Sequence, residues 1–253
     1  DEEIERAKKK YSKVAIVSGF DSSEPMSHSF DCERDFSLVH IGGLNSKHIT
    51  QGHQSTYLLF VIQALELAGR NLEKCLIVTN PQVVAASRHS KFVRGKKARV
   101  VSLTFQQYQH ELLSCGELIT TPGISSVVDA VQQGKLTHLL LPANFTQVHQ
   151  LQQFNRIFRT KYPSFSDLSE NYNVQAGASE SCCNNQINHW IDAVANDIAA
   201  LRTYSILFSR ASGPDQFEIR VRQAKGLREW QKDVSENSES IASIAGRLLD
   251  PNT

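Results

Sequence analysis

The chain has 253 residues, of which 40% are hydrophobic and 21% are charged, and these proportions exclude an intrinsically disordered or fibrous protein. Lys and Arg number 27 against 26 Asp and Glu, so the formal net charge is only +1 at pH 7. A general nucleic-acid binder needs clustered basic charge, and this balance argues against one.

Short β-branched runs alternate with longer helical stretches over the first 156 residues. Strands are predicted at 13–17, 36–41, 75–78, 99–103, 118–120 and 137–141, and helices at 57–68 and from about 127 to 134. Strands that are apolar on both faces and separated by helices indicate a parallel sheet covered on both sides. The predicted fold class is therefore α/β, with a doubly wound, Rossmann-like parallel sheet.

The character of the chain changes after Tyr162. A segment rich in Ser, Asn and Gly is followed by an apolar helical pattern over 187–201, and a last helix is predicted at 241–248. Phe217, Ile219 and Val221 alternate with charged residues, which predicts one half-exposed strand. The predicted domains are an N-terminal helix, strand and linker (1–35), the α/β domain (36–162) and a mainly helical C-terminal extension (163–253).

Cysteine usage and apolar run lengths predict a cytoplasmic protein without a membrane span. The five cysteines are an odd number, and Cys75 lies in an apolar run where a reduced thiol serves as a small hydrophobe. Cys182 and Cys183 have no second Cys or His cluster at the spacing of a metal site. The longest apolar runs are far shorter than the ~20 residues that a membrane helix needs.

The first loop suited to an anion follows the predicted strand 36–41. Gly42 and Gly43 are paired glycines that allow positive φ and let backbone N–H groups approach a phosphate closely. An ordinary turn is the alternative. His40 precedes this loop within the strand and is interpreted as a packed or hydrogen-bonded core residue.

The second such loop follows the strand 118–120. Gly123 precedes Ser125 and Ser126 at a predicted helix start, where unpaired N–H groups and the helix dipole favour a diphosphate. The alternative is that one of the two serines simply caps the helix.

The order of features over residues 117–155 is more specific than either loop. It consists of an apolar strand, a glycine turn with hydroxyl residues, an acidic residue followed by Ala, a Gly before the next strand, and a loop with Pro, Asn and Gln. The positions are Gly123, Ser125, Ser126, Asp129, Ala130, Gly134, Pro142, Asn144 and Gln147.

This order resembles the nucleotide-sugar-binding, C-terminal half of GT-B fold glycosyltransferases, and the resemblance covers residues 36–156. It is greatest to cytosylglucuronate-synthase-like proteins, and more distant to the N-acetylglucosaminyltransferase of peptidoglycan synthesis. Two departures weaken any inference about the sugar: the glycine-rich turn is reduced to Pro122-Gly123, and Thr146 stands where the family has an acid before Gln.

The resemblance implies a role in donor binding for ten residues. Glycines and hydroxyl residues would face the diphosphate, the loop ending at Phe105 would lie against the base, a carboxylate would bind the ribose, and two amides would face the sugar. In that order they are Gly42, Gly43, Gly123, Ile124, Ser125 and Ser126, then Phe105, then Asp129, then Asn144 and Gln147.

The predicted function is transfer of a sugar from a nucleoside diphosphate sugar, expected to be a UDP-sugar, to a small-molecule acceptor without a metal or further cofactor. His48 and His53 are the candidates for a base, because histidine titrates nearest neutral pH. No acceptor-binding domain fits before Phe36, so the resemblance implies a partner domain or subunit. The alternatives are a non-catalytic nucleotide or nucleotide-sugar binding module, a partner-dependent donor subunit and a plain interaction protein.

Overall fold

The structure is a computed structural model that describes residues 34–45, 49–96, 98–172, 179–213 and 215–237. In chain order its strands and helices are β1 (Arg34–His40), α1 (Gln51–Leu67), β2 (Cys75–Val78), α2 (Pro81–His89), α3 (Lys91–Gly95), β3 (Arg99–Val101), α4 (Phe105–Ser114), β4 (Cys115–Thr120), α5 (Ile124–Gln132), β5 (Leu136–Leu139), α6 (Phe145–Phe158), α7 (Glu180–Asn196), α8 (Ile198–Ser212) and α9 (Gln216–Asn237). The strand predicted at 13–17 and the helix predicted at 241–248 lie outside the described residues.

The five strands form one parallel sheet in the order β3-β2-β1-β4-β5. β1 lies at the centre and pairs with β2 on one side and with β4 on the other. The chain therefore adds β2 and β3 on one side of β1 and then returns to add β4 and β5 on the other side. This is the doubly wound arrangement, which has a crevice at the carboxyl end of the sheet. The predicted fold class, a doubly wound α/β sheet with a helical C-terminal extension, is confirmed.

Neighbouring residues on each central strand enter different hydrophobic clusters because side chains alternate across a sheet. One face carries Val39, Ile77 and Ile119, which pack in a cluster with α1, α7 and α8. The other face carries Leu38 and Leu118, which pack with residues of α4 and α5. Both faces are buried, so the central strands read as continuous apolar runs.

The helical extension shares the core of the α/β domain. Trp190 of α7 and Tyr204 and Phe208 of α8 belong to the same buried cluster as Phe60 of α1. The ring centroids of Phe60 and Tyr204 are 5.1 Å apart. The domain boundaries at residues 35 and 162 stay predictions, but these helices cover one face of the sheet.

The half-exposed strand predicted at 217–221 is wrong, because these residues form the start of α9. Ile219 is buried whereas Phe217 and Val221 are 78% and 48% exposed, and a strand would instead place all three side chains on one face. The next buried positions, Gln223 and Leu227, follow Ile219 at intervals of four. The helical period is visible over residues 219–227 but not over the five residues 217–221 alone.

The single helix predicted over 187–201 is two helices in the structure. α7 ends at Asn196, and the Asp197 carboxylate accepts hydrogen bonds from Ala199 N and Ala200 N as the N-cap of α8. Asp is among the preferred N-cap residues, and here its side chain starts a new helix in the middle of an apolar pattern.

α9 covers the outer edge of β5 through one amide side chain. Gln223 Oε1 accepts from Thr137 N at 3.2 Å, and Gln223 Nε2 donates to Thr137 O. The Tyr162 hydroxyl donates to the same carbonyl at 2.7 Å. Backbone groups that a sixth strand would otherwise pair are thus hydrogen-bonded within the chain.

A buried carboxylate joins three strands below the carboxyl edge. Glu117 of β4 accepts from the Ser37 hydroxyl of β1 and from Arg70 Nη1 at 2.9 Å, and its Oε2 lies 3.1 Å from His138 Nε2 of β5. Burial acts to raise the pKa of Glu117, but His138, Arg70 and Ser37 together lower it from 4.5 to about 2. The ionised form is therefore the one that the fold holds.

Glu117→Gln is expected to destabilise the chain in a pH-dependent way. Because the folded pKa lies below the ordinary value, ionised Glu117 contributes its full stabilisation above pH 4.5, and this is lost as the pH falls toward 2. We expect the variant's deficit in free energy of unfolding to be about 2 kcal/mol smaller at pH 3 than at pH 7. Urea unfolding at both pH values measures it, with exposed Glu229→Gln as the control. An equal deficit at both values would contradict the ionised network.

Gly226→Ala tests the close approach of α9 to α6. A Cβ at Gly226 would overlap the carbonyl oxygen of Ile157 and lie 2.9 Å from its carbonyl carbon, so the two helices must separate. We expect a loss of about 1–3 kcal/mol in free energy of unfolding. Gly52→Ala in α1, whose Cβ would have only an ordinary contact 3.6 Å from Thr50 Oγ1, is the matched control and should be neutral or stabilising. Equal effects of the two variants would show that helix propensity alone decides.

Candidate functional site

A cleft of about 500 Å³ opens at the carboxyl end of the sheet, where the loops after β1, β2 and β3 meet the start of α5. Ligands of doubly wound proteins bind at this edge. Six of the ten predicted donor-binding residues line it: Gly42, Gly43, Phe105, Ser125, Ser126 and Asp129. Another groove of about 550 Å³ lies over the start of α7, but its lining comes from residues 179–190 alone, so no second element converges there.

The glycine loop after β1 is clamped from the neighbouring strand. Gly42 N donates to Thr121 Oγ1 at 3.0 Å, and the same hydroxyl donates to Gly42 O at 3.2 Å. A Cβ at Gly42 would lie 3.2 Å from His40 Cε1. Gly43 has a φ of +78°, a left-handed conformation that favours glycine.

Asn144 and Gln147 hold the glycine loop from the start of α6. Asn144 Nδ2 donates to Gly43 O at 3.0 Å and Gln147 Nε2 donates to Gly42 O at 3.3 Å. Gln147 is 5% exposed, and its Oε1 accepts from Ala143 N. Neither residue lines the cleft, so contact of these amides with a sugar stays a prediction, and their observed partner is the loop.

These two hydrogen bonds also fix the direction of the N–H groups that belong to the same two peptides. In a trans peptide the C=O and the following N–H point in opposite directions. Because the carbonyls of Gly42 and Gly43 point to α6, the N–H groups of Gly43 and Leu44 point away from it. Gly43 and Leu44 both line the cleft.

The first turn of α5 has no side-chain cap. Gly123 is the N-cap residue, with φ −108°, and Ile124 is the first helical residue. The alternative that Ser125 or Ser126 caps this helix is therefore not what the structure has. Both serines line the cleft beside the first-turn N–H groups, whereas Gly123 and Ile124 do not line it.

His40 enters the cleft, although the sequence indicated a core residue. It is half-buried at the end of β1, its Nδ1 lies 2.9 Å from Ser126 Oγ, and its ring centroid lies 4.8 Å from that of Tyr108. Burial lowers the pKa of His40 from 6.5 to about 4, so the imidazole is neutral at pH 7. The signal in the sequence was its place near the end of the predicted strand 36–41, two residues before the glycine loop.

Phe105 and Asp129 mark two other parts of the cleft. Phe105, the first residue of α4, is 73% exposed, which is unusual for a large apolar side chain. Asp129 lies on the second turn of α5, and its Oδ2 accepts from Gln109 Nε2 at 3.0 Å. A carboxylate has about four acceptor positions, so Asp129 keeps capacity for a ligand.

Asn45 and Asn80 are cleft residues that the sequence analysis did not single out. Asn80 caps α2 through Oδ1 and donates from Nδ2 to Asn45 Oδ1 at 3.0 Å. Asn80 lies two residues after the end of β2, so the rule that parallel strands end at one edge could have identified it.

His53, a candidate base, lies away from the cleft lining on the first turn of α1. Its Nδ1 is 2.8 Å from Thr50 Oγ1 and its Nε2 is 3.3 Å from Asp192 Oδ2 of α7. With both ring nitrogens engaged, the imidazole joins two helices in this structure. His48, the other candidate, lies outside the described residues.

Two features of the described residues bear on cofactors and membranes. No group of three or more His, Cys, Asp or Glu side chains is arranged to hold a metal ion in that part of the chain. None of the described helices is both long enough and apolar enough to cross a membrane.

Comparison with known proteins gives structural likeness only. No protein-family model matches the chain, and no curated protein matches it. Among solved structures, Arabidopsis thaliana UGT89C1 is 16% identical with a TM-score of 0.34, and the match covers 81% of this chain and 45% of that one. Os79 from O. sativa, in complex with U2F and trichothecene, is 13% identical with a TM-score of 0.40, over 93% of this chain and 52% of that one.

A third similar structure is UGT89C1 complexed with UDP-L-rhamnose, at 14% identity and a TM-score of 0.36, over 81% of this chain and 45% of that one. The chain spans about half the length of these solved structures. At such low identities and TM-scores, the fold and the site rest on the geometry of the chain itself. Neither bacterial enzyme type that the sequence resembles is among these three.

Gly43→Ala is expected to displace the glycine loop. The new Cβ would overlap Gln147 Nε2 and lie 2.6 Å from Asn144 Nδ2, in addition to the strain of positive φ. Gly69→Ala is the matched control, because Gly69 has φ +76° but no atom within 4 Å of the added Cβ. We expect about 1 kcal/mol of destabilisation in the control and at least about twice that for Gly43→Ala, measured by urea unfolding. Equal losses would show that the two amides are not packed against the loop.

Proposed function

We propose that the cleft binds a nucleoside diphosphate sugar, expected to be a UDP-sugar, and that the chain is the donor-binding half of a GT-B-like glycosyltransferase. The observation that carries the proposal is the meeting of the uncapped start of α5 with the glycine loop after β1 in one cleft. Residues of both features line the same space, at the edge where doubly wound proteins bind nucleotides, and backbone N–H groups at both are suited to a phosphate.

The diphosphate is the part of the donor that this geometry suits best. The first-turn N–H groups of α5 and the hydroxyls of Ser125 and Ser126 are donors, and the positive end of the helix dipole acts on the same charge. None of the described residues that line the cleft is Lys or Arg. Recognition of the diphosphate would therefore rest on oriented hydrogen-bond donors, which is consistent with the near-neutral charge of the chain.

The nucleoside is proposed to extend from the diphosphate toward Asp129 and Phe105. A carboxylate can accept from both vicinal hydroxyls of a ribose, and Asp129 lies one turn beyond the serines on α5. The exposed ring of Phe105 offers a flat apolar surface to a base on the β3 side of the cleft.

Transfer would use the same groups that bind the ground state. As the bond between sugar and diphosphate breaks, negative charge grows on the leaving phosphate oxygen. Donors already oriented at α5 and at the glycine loop stabilise that charge without reorganising, which lowers the barrier. The acceptor and its base would come from a partner domain or subunit.

A non-catalytic donor-binding module is the second candidate. One observation favours it: the described cleft offers no free base, since His40 is bonded to Ser126 and has a pKa of about 4, and both nitrogens of His53 are engaged. Binding of a sugar nucleotide without release of the nucleoside diphosphate, with small-molecule acceptors present, would support the module.

Ser125→Trp is expected to abolish nucleotide-sugar binding by filling the cleft at the start of α5. The measurement is a thermal-shift screen, followed by calorimetry, with UDP, GDP, TDP, CDP and ADP and their sugars. We expect the UDP compounds to raise the melting temperature of the wild type and not of the variant. Ser209→Trp, at an exposed serine of α8, is the matched control and should bind as the wild type does.

Two outcomes would contradict this proposal. If no nucleotide or sugar nucleotide shifts the wild-type melting temperature, the chain has no donor site and an interaction role is the better hypothesis. If Ser125→Trp binds as tightly as Ser209→Trp, the donor lies elsewhere.

A further inference from the structure

The hydrogen bond between His40 and Ser126 lies inside the proposed donor site. The 2.9 Å distance joins His40 Nδ1 at the end of β1 to the hydroxyl at the third residue of α5. Both side chains line the cleft. The direction of this hydrogen bond decides what Ser126 offers to a ligand.

We take His40 in the free cleft to be the neutral tautomer with its proton on Nε2, and this tautomer accepts at Nδ1. Ser126 then donates its only proton to His40 and turns its lone pairs to the cleft, which repels a phosphate oxygen. A protonated imidazole donates from both nitrogens. Ser126 must then accept from His40, so its own O–H is released from the imidazole and can donate to an anion, in competition with its neighbour Tyr108.

Thr120 supports a proton on Nδ1 when an anion is bound. Its Oγ1 lies 3.4 Å from His40 Nδ1 and donates to Thr121 O at 3.0 Å. This hydroxyl can turn its proton to Nδ1 of a neutral imidazole or keep it on Thr121 O, and in the second orientation its oxygen accepts from a protonated Nδ1. Two oxygens therefore surround Nδ1, and both can accept at once.

A bound diphosphate supplies the driving force for protonation. Burial keeps His40 neutral in the free cleft, and an anion nearby favours the charged imidazole. The described lining contains no Lys or Arg that would neutralise the ligand first. A charge at His40 would thus be the first full positive charge among those lining residues.

We propose that His40 is a positioning residue of the donor site, which takes up one proton from solvent when the diphosphate binds and thereby turns the Ser126 hydroxyl toward the phosphate. This inference rests on the proposed function. It predicts that donor affinity rises as the pH falls, because binding and protonation favour each other.

Two other titratable side chains line the described cleft with His40, and neither would make donor affinity rise as the pH falls. Burial raises the pKa of Tyr108, so its hydroxyl stays neutral. Protonation of Asp129 would remove an acceptor for the ribose, so its influence on affinity has the opposite sign. Val78, the β2 residue paired with His40, carries no charge.

The experiment is calorimetry of UDP-glucose binding to the wild type between pH 5 and 7.5, in two buffers of different ionisation enthalpy. The diphosphate of UDP-glucose does not titrate in this range, so any proton uptake belongs to the protein. We expect affinity to rise on the order of tenfold from pH 7.5 to 5, with uptake approaching one proton at pH 5.

His40→Asn keeps a hydrogen-bonding group near Nδ1 but cannot take up a proton. We expect it to bind UDP-glucose more weakly at every pH, with a flat pH profile and no proton uptake. Exposed His110→Asn on α4 is the matched control and should keep the wild-type profile. If His40→Asn does not fold, NMR titration of His40 in the wild type decides, and its pKa should rise on addition of UDP-glucose.

The outcomes separate the two proposals. Failure of UDP-glucose to bind at any pH would overturn the UDP-sugar site and this inference with it. Binding that is independent of pH, proton uptake that persists in His40→Asn, or an unchanged NMR pKa would overturn this inference and leave the donor site standing.

Discussion

The cleft depends on two amides that hold a glycine loop from a distant part of the chain. Asn144 and Gln147 lie about a hundred residues after Gly42 and Gly43, yet their side chains take both loop carbonyls. Because each carbonyl is paired at α6, the N–H groups of the same peptides point away from α6, and the residues that carry them, Gly43 and Leu44, line the cleft. α6 can hold the loop only because β4 and β5 place its start beside the end of β1, so the site is a product of the strand order.

Much of the fold could be predicted from sequence because strands that are buried on both faces of the sheet appear as continuous apolar runs. Leu38-Val39, Leu76-Ile77 and Leu118-Ile119 are adjacent apolar pairs whose members enter opposite clusters, and such runs favour a parallel sheet. The errors have a common cause, which is a short window. Apolar residues at every second position over 217–221 favour a strand, and only the buried positions further along, Gln223 and Leu227, show the helix. An apolar pattern through 187–201 does not show that the Asp197 carboxylate begins a second helix.

The candidate site could be predicted best where its residues lie shortly after a strand. Gly42 and Gly43 stand in the loop after β1, Ser125 and Ser126 stand in the first turn of the helix after β4, and the structure brings them together. His40 was interpreted as a core residue because the sequence does not show that α5 places Ser126 over its ring. Asn144 and Gln147 were predicted to face the sugar, and in the structure their amides donate hydrogen bonds to carbonyls of the glycine loop. Contacts between residues about a hundred positions apart depend on the order of strands in the sheet, and a local sequence pattern does not reveal that order.

The pairing of Gln223 with Thr137 has a consequence for assembly. A sheet edge with unpaired N–H and C=O groups is a template on which another chain can add a strand. In this chain a side-chain amide and the Tyr162 hydroxyl occupy that template at the β5 edge, and α9 lies over it. A partner that docks on this side would therefore meet helical surface, and strand exchange between copies through β5 is blocked for as long as α9 stays in place.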